Sequence, residues 1–438
     1  MTPGLKQTTI CRFWSPLAAT WVMMAIEGTL LTAIVARLNE PEYNLAAYGV
    51  ALAVALLVEA PVIMMMTAST ALVTDRLSYF KLRNFAFSLS LIISVLMGLL
   101  AIPSVFRVAS ITLLKLPTPI SELTIPCILI LLPWPGMIGY RRFYQGLLIR
   151  DDRTHLVAVG TFIRLMTMAA VALGLFLWGD LPGSWIAATS LSAGVTVEAI
   201  ASRKMANQTV KHLLQIEKSG QDVVSYPFIA NFYYPLALTS LLALGVHPIL
   251  TFLVAHSPLA ISSLAVLPVV SSFVFLFRSA GLAYQEVAVA LLGKSQQSYF
   301  SLKKFSFLLM ISTTFLFALV AFTPLCEVWY RTISGLSDDL SNLAVTATQL
   351  LLFIPALSVF LSLQRGLMVS IHQTPKITWA TLIEVSIIAS SMLLLIWVGE
   401  LPGAISASIA MLLGRSAAVL YLLPPLRKAT SLIGISSD

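Results

Sequence analysis

Charge is the scarcest commodity in this sequence. Asp, Glu, Lys and Arg together make up 11% of its 438 residues, against about a quarter in a soluble domain. So few charges cannot clothe a chain of this size for water, so most of its surface must meet lipid. Cysteine is scarce too: Cys11, Cys127 and Cys326 are far apart, with no CxxC and no Cys/His spacing. That excludes a disulfide framework and a zinc site. It leaves Cys127 and Cys326 as small buried hydrophobes. There is no GxxxxGK[ST] loop, no GxGxxG before a strand, no HExxH and no GxSxG elbow. ATP-driven pumping, hydrolysis and a bound cofactor therefore have no support. The first apolar stretch, 13–36, is too long for the core of a cleavable signal peptide.

What is present is apolar. Hydrophobic residues make up 58% of the chain and the mean hydropathy is +0.90. The 22 Gly and 22 Pro often fall inside apolar runs, which membrane helices tolerate because neighbours re-satisfy the freed backbone groups. A spanning helix needs about 20 apolar residues. Twelve segments meet that length, near 13–37, 45–73, 85–106, 122–148, 155–178, 182–206, 227–255, 260–293, 304–325, 341–369, 377–398 and 402–425. The second and eighth are long enough to tilt or kink. The predicted fold class is an all-α polytopic membrane protein.

The net charge of +8 follows from where the cations sit, and no nucleic-acid partner is expected. With the N-terminus in the cytoplasm, 20 of the 27 Lys and Arg fall on the cytoplasmic side and four, Arg37, Arg107, Lys115 and Arg331, on the other. The remaining three, Arg164, Arg278 and Arg415, lie inside segments. The bias places both termini in the cytoplasm, in a plasma membrane or a bacterial inner membrane.

The chain also matches itself at a shift of 219–220 residues. FWSPLAAT at 13–20 pairs with FYYPLALT at 232–239, and SYFKLRNFAF at 78–87 with SYFSLKKFSF at 298–307. Pro135, Gly146, Thr154, Thr161 and Gly194 pair with Pro355, Gly366, Thr374, Thr381 and Gly414. DLPG at 180–183 pairs with ELPG at 400–403. A shift of six helices returns the chain to the same side, so the halves are parallel and related by a pseudo-twofold along the membrane normal. The expected organisation is a six-helix lobe at 1–206, a cytoplasmic link at 207–226 and a second lobe at 227–438, around a central cleft. A monomer is expected.

Two parallel six-helix lobes, Pro16 with Pro235, and the QGLLIRDDRT segment at 145–154 resemble the multidrug/oligosaccharidyl-lipid/polysaccharide (MOP) exporter superfamily, and within it the MATE transporters. AAYGVALAVALLVEAP at 46–61 is similar to the progressive ankylosis branch. The resemblance implies a secondary transporter. The acidic ion-binding residues of the MATE branches have no clear counterpart here, so the coupling ion, H+ or Na+, is left open.

Ionisable groups inside spans cost about 2.5–3.5 kcal/mol each at the centre, which makes them functional candidates. Glu59 aligns within one residue of Arg278, and across a cleft the two would form a carboxylate–guanidinium pair for substrate or ion coupling, or a fixed brace. Ser271 and Gln285 share a helix face with Arg278. Glu27 aligns with His247; Thr20 shares a face with Glu27, and Tyr233 and Ser240 with His247. A carboxylate with an imidazole suits proton coupling, or simple hydration near a helix end. Arg164 aligns with Glu384, and Glu198 falls three positions from Arg415; these four read as structural braces. Glu286 reads as solvated.

Three functions compete. The first is a secondary exporter of small organic molecules, with the substrate and membrane lipid as its partners. The second is a flippase for a lipid-linked saccharide, or an exporter of an anionic metabolite. A membrane enzyme or scaffold is the third; no clustered His, Asp or Cys supports catalysis, and a scaffold needs no charges in its spans.

Overall fold

A computed structural model describes residues 5–35, 38–108, 118–179, 181–216, 225–294 and 298–432. Part of the expected link (217–224) and three of the cations used for orientation, Arg37, Lys115 and Lys218, lie outside the described residues. Among the described residues every regular element is a helix. That is what an apolar chain must do in hydrocarbon, where each backbone N–H and C=O has to be satisfied within its own segment.

The first half runs α1 (Gln7–Val35), α2 (Pro41–Glu59), a 3-10 turn (Ala60–Val62), α3 (Met65–Leu72), α4 (Arg76–Leu100), α5 (Pro103–Val108), α6 (Thr118–Ile130), α7 (Trp134–Arg150), α8 (Thr154–Trp178) and α9 (Gly183–Met205). A short α10 (Asn207–Gln215) follows. The second half runs α11 (Tyr226–Ala255), α12 (Ala260–Lys294), α13 (Tyr299–Ala321), α14 (Pro324–Glu327), a π-turn (Val328–Ile333), α15 (Asp338–Leu350), α16 (Ile354–Ser370), α17 (Thr374–Trp397) and α18 (Gly403–Leu432). Among the described residues ten helical stretches are long and apolar enough to span, or eleven if α15 and α16, bent by 40°, make one span. The first expected segment falls largely on the 29-residue α1. The protein is a multi-pass membrane protein.

Prolines explain the interruptions. Pro135 and Pro355 occupy the first turns of α7 and α16, where the missing N–H breaks the ladder from the preceding helix. Equivalent spans of the two halves are therefore broken at equivalent places. Pro61 likewise interrupts the second span with the 3-10 turn, whereas α12 runs on through Pro268. Among the starts, α4 has the clearest cap: Asp75 Oδ1 accepts from the Ser78 N–H at 2.8 Å, and Ser78 Oγ accepts from the Asp75 N–H at 3.0 Å.

The chain forms two compact units, Val22–Leu241 and Met1–Trp21 with Leu242–Asp438. Their boundaries fall inside α1 and α11. Each unit is built alike. In the first, α2 packs on α6, α3 and α4 on α7, and α8 on α9; in the second, α12 packs on α15 and α16, α13 on α16, and α17 on α18. Left-handed backbone recurs at equivalent turn positions: Glu40 (φ 49°) with Leu259 (φ 52°), and Asp152 with His372 (both φ 60°). The repeat thus extends from sequence to turn geometry.

One glycine pair sets how closely these helices approach. Gly194 in α9 abuts Met168 and Arg164 of α8, and Gly414 in α18 abuts Ile388 and Glu384 of α17. A methyl group at Gly414 would sit 2.7 Å from the Glu384 carbonyl. Small residues that let backbones meet are the usual device of membrane helix packing. Here they bring two helices together beside a buried ion.

Candidate functional site

In the first unit, four ionised side chains from four helices meet. Arg141 (α7) pairs with Glu198 (α9). Arg164 (α8) reaches the same Glu198 carboxylate at 3.4 Å and holds Glu27 (α1) through Nη2 at 2.6 Å and Nε at 2.8 Å. The second oxygen of Glu198 accepts from Gln145 Nε2 at 3.0 Å and Thr161 Oγ1 at 3.2 Å. Glu198 is fully buried and has four donors. Buried charges persist only when paired and hydrogen-bonded in this way.

Glu59 stands apart from that network. It closes α2, immediately before the 3-10 turn, and is only 6% exposed. Its Oε2 is buried with no hydrogen-bond partner among the described residues. Arg142, Arg141 and Arg164 act on it electrostatically, but none forms an ion pair with it within 4 Å among the described residues. The freed carbonyl of Pro61, two residues on, accepts from the Tyr233 hydroxyl at 2.6 Å, and Tyr233 lies edge-on to Phe85. Ser240, also buried, donates to the Leu236 carbonyl of its own helix at 3.3 Å.

The second unit carries the equivalent cluster with the charge reversed. Glu384 (α17) pairs with Arg415 (α18) at 3.0 Å and reaches Arg365 (α16) at 4.0 Å. Arg365 also donates to Thr381 Oγ1 at 2.9 Å. Arg278 (α12) interacts with all three charges yet makes no ion pair within 4 Å among the described residues. The Nε atoms of Arg278, Arg365 and Arg415 are buried without a hydrogen-bond acceptor among those residues. The positions correspond: Gln145 to Arg365, Thr161 to Thr381, Arg164 to Glu384, and Glu59 to Arg278 at a shift of 219.

The remaining sequence candidates take up separate places. His247 is exposed and close enough to Arg278 for their charges to interact. Ser271 and Gln285 are half-buried on α12. Thr20 donates to the Pro16 carbonyl at 3.1 Å. On the Tyr233 pattern, Trp14 donates through Nε1 to the Ala280 carbonyl at 3.0 Å and lies edge-on to Phe305. Glu286 is buried rather than solvated, and it has an interaction of its own.

The structure thus joins Glu27, Arg164 and Glu198 in one unit and Glu384 with Arg415 in the other. Arg141, Gln145 and Arg365 are members that the sequence did not reveal. By sequence, Arg141 and Arg365 belong to the cytoplasmic cations. Moving both inside lowers the cytoplasmic tally from 20 to 18 against four, and the asymmetry persists. The signal for Arg365 was its alignment with Gln145. Cys127 and Cys326 are buried, as expected. Outside the spans, burial and the neighbouring Glu327 push the Cys326 thiol up to about 11, so it is no nucleophile at neutral pH.

No protein-family profile matches the sequence, and no curated protein is significantly similar to it. Solved structures do match. A MOP superfamily transporter from Pyrococcus furiosus, described for the reverse polarity of its binding pocket, aligns with TM-score 0.77 at 13% identity, over 97% of this chain and 96% of that one. A mutant MATE transporter from Vibrio cholerae aligns with TM-score 0.78 at 15% identity, over 97% of each chain. A multidrug resistance MATE family transporter in an outward-facing conformation aligns with TM-score 0.76 at 14% identity, over 97% and 96%. The chain has the fold of the MATE transporters of the MOP superfamily.

Proposed function

We propose that the protein is a secondary active transporter. In this reading it exports small organic molecules by alternating access of its two halves, driven by a proton or sodium gradient. Glu59 carries the reading. It is a buried carboxylate at a helix break, with one oxygen lacking a hydrogen-bond partner among the described residues. Such a group has room for a proton or a sodium ion. Glu198, with four donors already in place, does not. A coupling ion biases a two-state protein only through differential affinity for the two states, and a carboxylate beside a broken span is placed to feel such a change.

The bias of Lys and Arg puts both termini in the cytoplasm of a plasma membrane or bacterial inner membrane. One chain suffices, since it contains both halves, and its partners are the solute and the surrounding lipid.

The test is infrared spectroscopy of the purified protein during pH and sodium titrations. The expected result is a protonated-carboxyl C=O band that responds to pH or to sodium and is absent from Glu59→Gln. An identical response in Glu59→Gln would move the coupling site elsewhere.

A further inference from the structure

Three arginines and one glutamate meet inside the spans of the second unit. Arg278, Arg365 and Arg415 come from α12, α16 and α18, and Glu384 from α17. Glu384 is engaged by Arg415 at 3.0 Å and Arg365 at 4.0 Å, which leaves the cluster with two positive charges in excess. Three Nε donors are buried there without an acceptor among the described residues. Buried charge without a counter-charge is among the costliest arrangements a fold can hold, and each unmet donor adds to it. In the other unit, Arg141 and Arg164 are matched by Glu198 and Glu27. The excess is therefore not imposed by the shared architecture.

We propose that this cluster is a binding site for an oxyanion of two negative charges, a phosphate or dicarboxylate group on the transported solute. The inference rests on the transport reading above and names its cargo. Guanidinium groups suit such a ligand because their planar N–H forks pair with carboxylate and phosphate oxygens in two-point contacts. Arg278 is half-buried, and no ion pair among the described residues has to be broken for it to take a ligand. Glu384 has a double part. It holds Arg415 and Arg365 in place, and it competes with the ligand for them.

The experiment is calorimetric titration of the full chain in detergent with inorganic phosphate, with succinate, and with a short-chain phosphatidic acid. The expected result is saturable binding of phosphate or succinate, weakened about 10-fold or more in Arg278→Gln, as loss of one charge-assisted contact requires. Glu384→Gln should bind more tightly, which a merely structural brace would not do. Thermal unfolding of each variant verifies that it is folded. Binding of phosphatidic acid alone would assign the site to a lipid headgroup and overturn a soluble cargo. No saturable binding of any anion, or equal binding in folded Arg278→Gln, would overturn the site. Anion binding without transport in liposomes would leave the site standing and remove the transport reading. Gradient-driven transport of a cation with no anion binding would do the reverse.

Discussion

Arg164 and Glu384 occupy equivalent positions of the two repeats, carry opposite charges, and are each ion-paired within their own unit. Arg164 holds Glu27 at 2.6 Å, and Glu384 holds Arg415 at 3.0 Å. Duplication preserved the location of a buried ion cluster while its sign changed. The first unit keeps the cluster neutral and leaves Glu59 outside it; the second leaves an arginine, Arg278, without an ion pair among the described residues.

Glu198 is the keystone of the first cluster, since two guanidinium groups and two neutral donors converge on it. Glu198→Gln should destabilise the protein by about 3–5 kcal/mol, because it strands Arg141 in a buried site. Thermal unfolding in detergent measures this. Arg153→Gln, which loses a partly exposed pair with Asp151 at 3.1 Å and an exposed hydrogen bond to Gln208 Oε1 at 2.7 Å, should change stability by less than about 1 kcal/mol.

Gly414 sets the spacing of α18 on α17. Gly414→Ala places a methyl group 2.5 Å from Ile388 Cγ1 and 2.7 Å from the Glu384 carbonyl, and the backbone oxygen cannot swing aside as a side chain can. The expected cost is about 1–3 kcal/mol, read as a lower unfolding temperature. Anion binding should weaken with it, because Arg415 rides on the same helix.

Tyr233 satisfies the carbonyl that the break at Pro61 releases. Tyr233→Phe keeps the ring contact with Phe85 and removes the 2.6 Å hydrogen bond. A loss of about 1 kcal/mol is expected. Trp14→Phe should behave alike, as it removes the equivalent bond to Ala280. A double variant should lose the sum of the two, since the sites share no partner.

Much of this was legible in the sequence. Spans, repeat and intramembrane charges follow from hydropathy and self-alignment, which the regular spacing of helices preserves. Contacts were less legible. Self-alignment pairs positions, not partners: it linked Glu27 to His247, whereas the group that touches Glu27 is Arg164. Arg141 and Arg365 read as flanking cations in the sequence because each lies within three turns of a helix end, where long side chains commonly reach solvent. Gln145 carries no charge and gave no signal of its own. The unit boundary inside α1 and α11 was hidden because an unbroken helix has no mark in its sequence to show which neighbour it packs on. The FWSP and FYYP matches were visible, but the carbonyls that Trp14 and Tyr233 reach, Ala280 inside the unbroken α12 and Pro61 at the break after α2, are set by packing that a sequence does not display.

The central claim, ion-coupled transport through Glu59, is tested most directly in liposomes. Uptake of a small polyanion and of a cationic dye would be followed under imposed pH and sodium gradients, with wild type, Glu59→Gln and Arg278→Gln in parallel. The account predicts gradient-driven polyanion movement in the wild type, loss of the gradient dependence in Glu59→Gln, and loss of polyanion movement in Arg278→Gln. Gradient-driven movement that persists unchanged in Glu59→Gln, or no solute movement at all in the wild type, would contradict it.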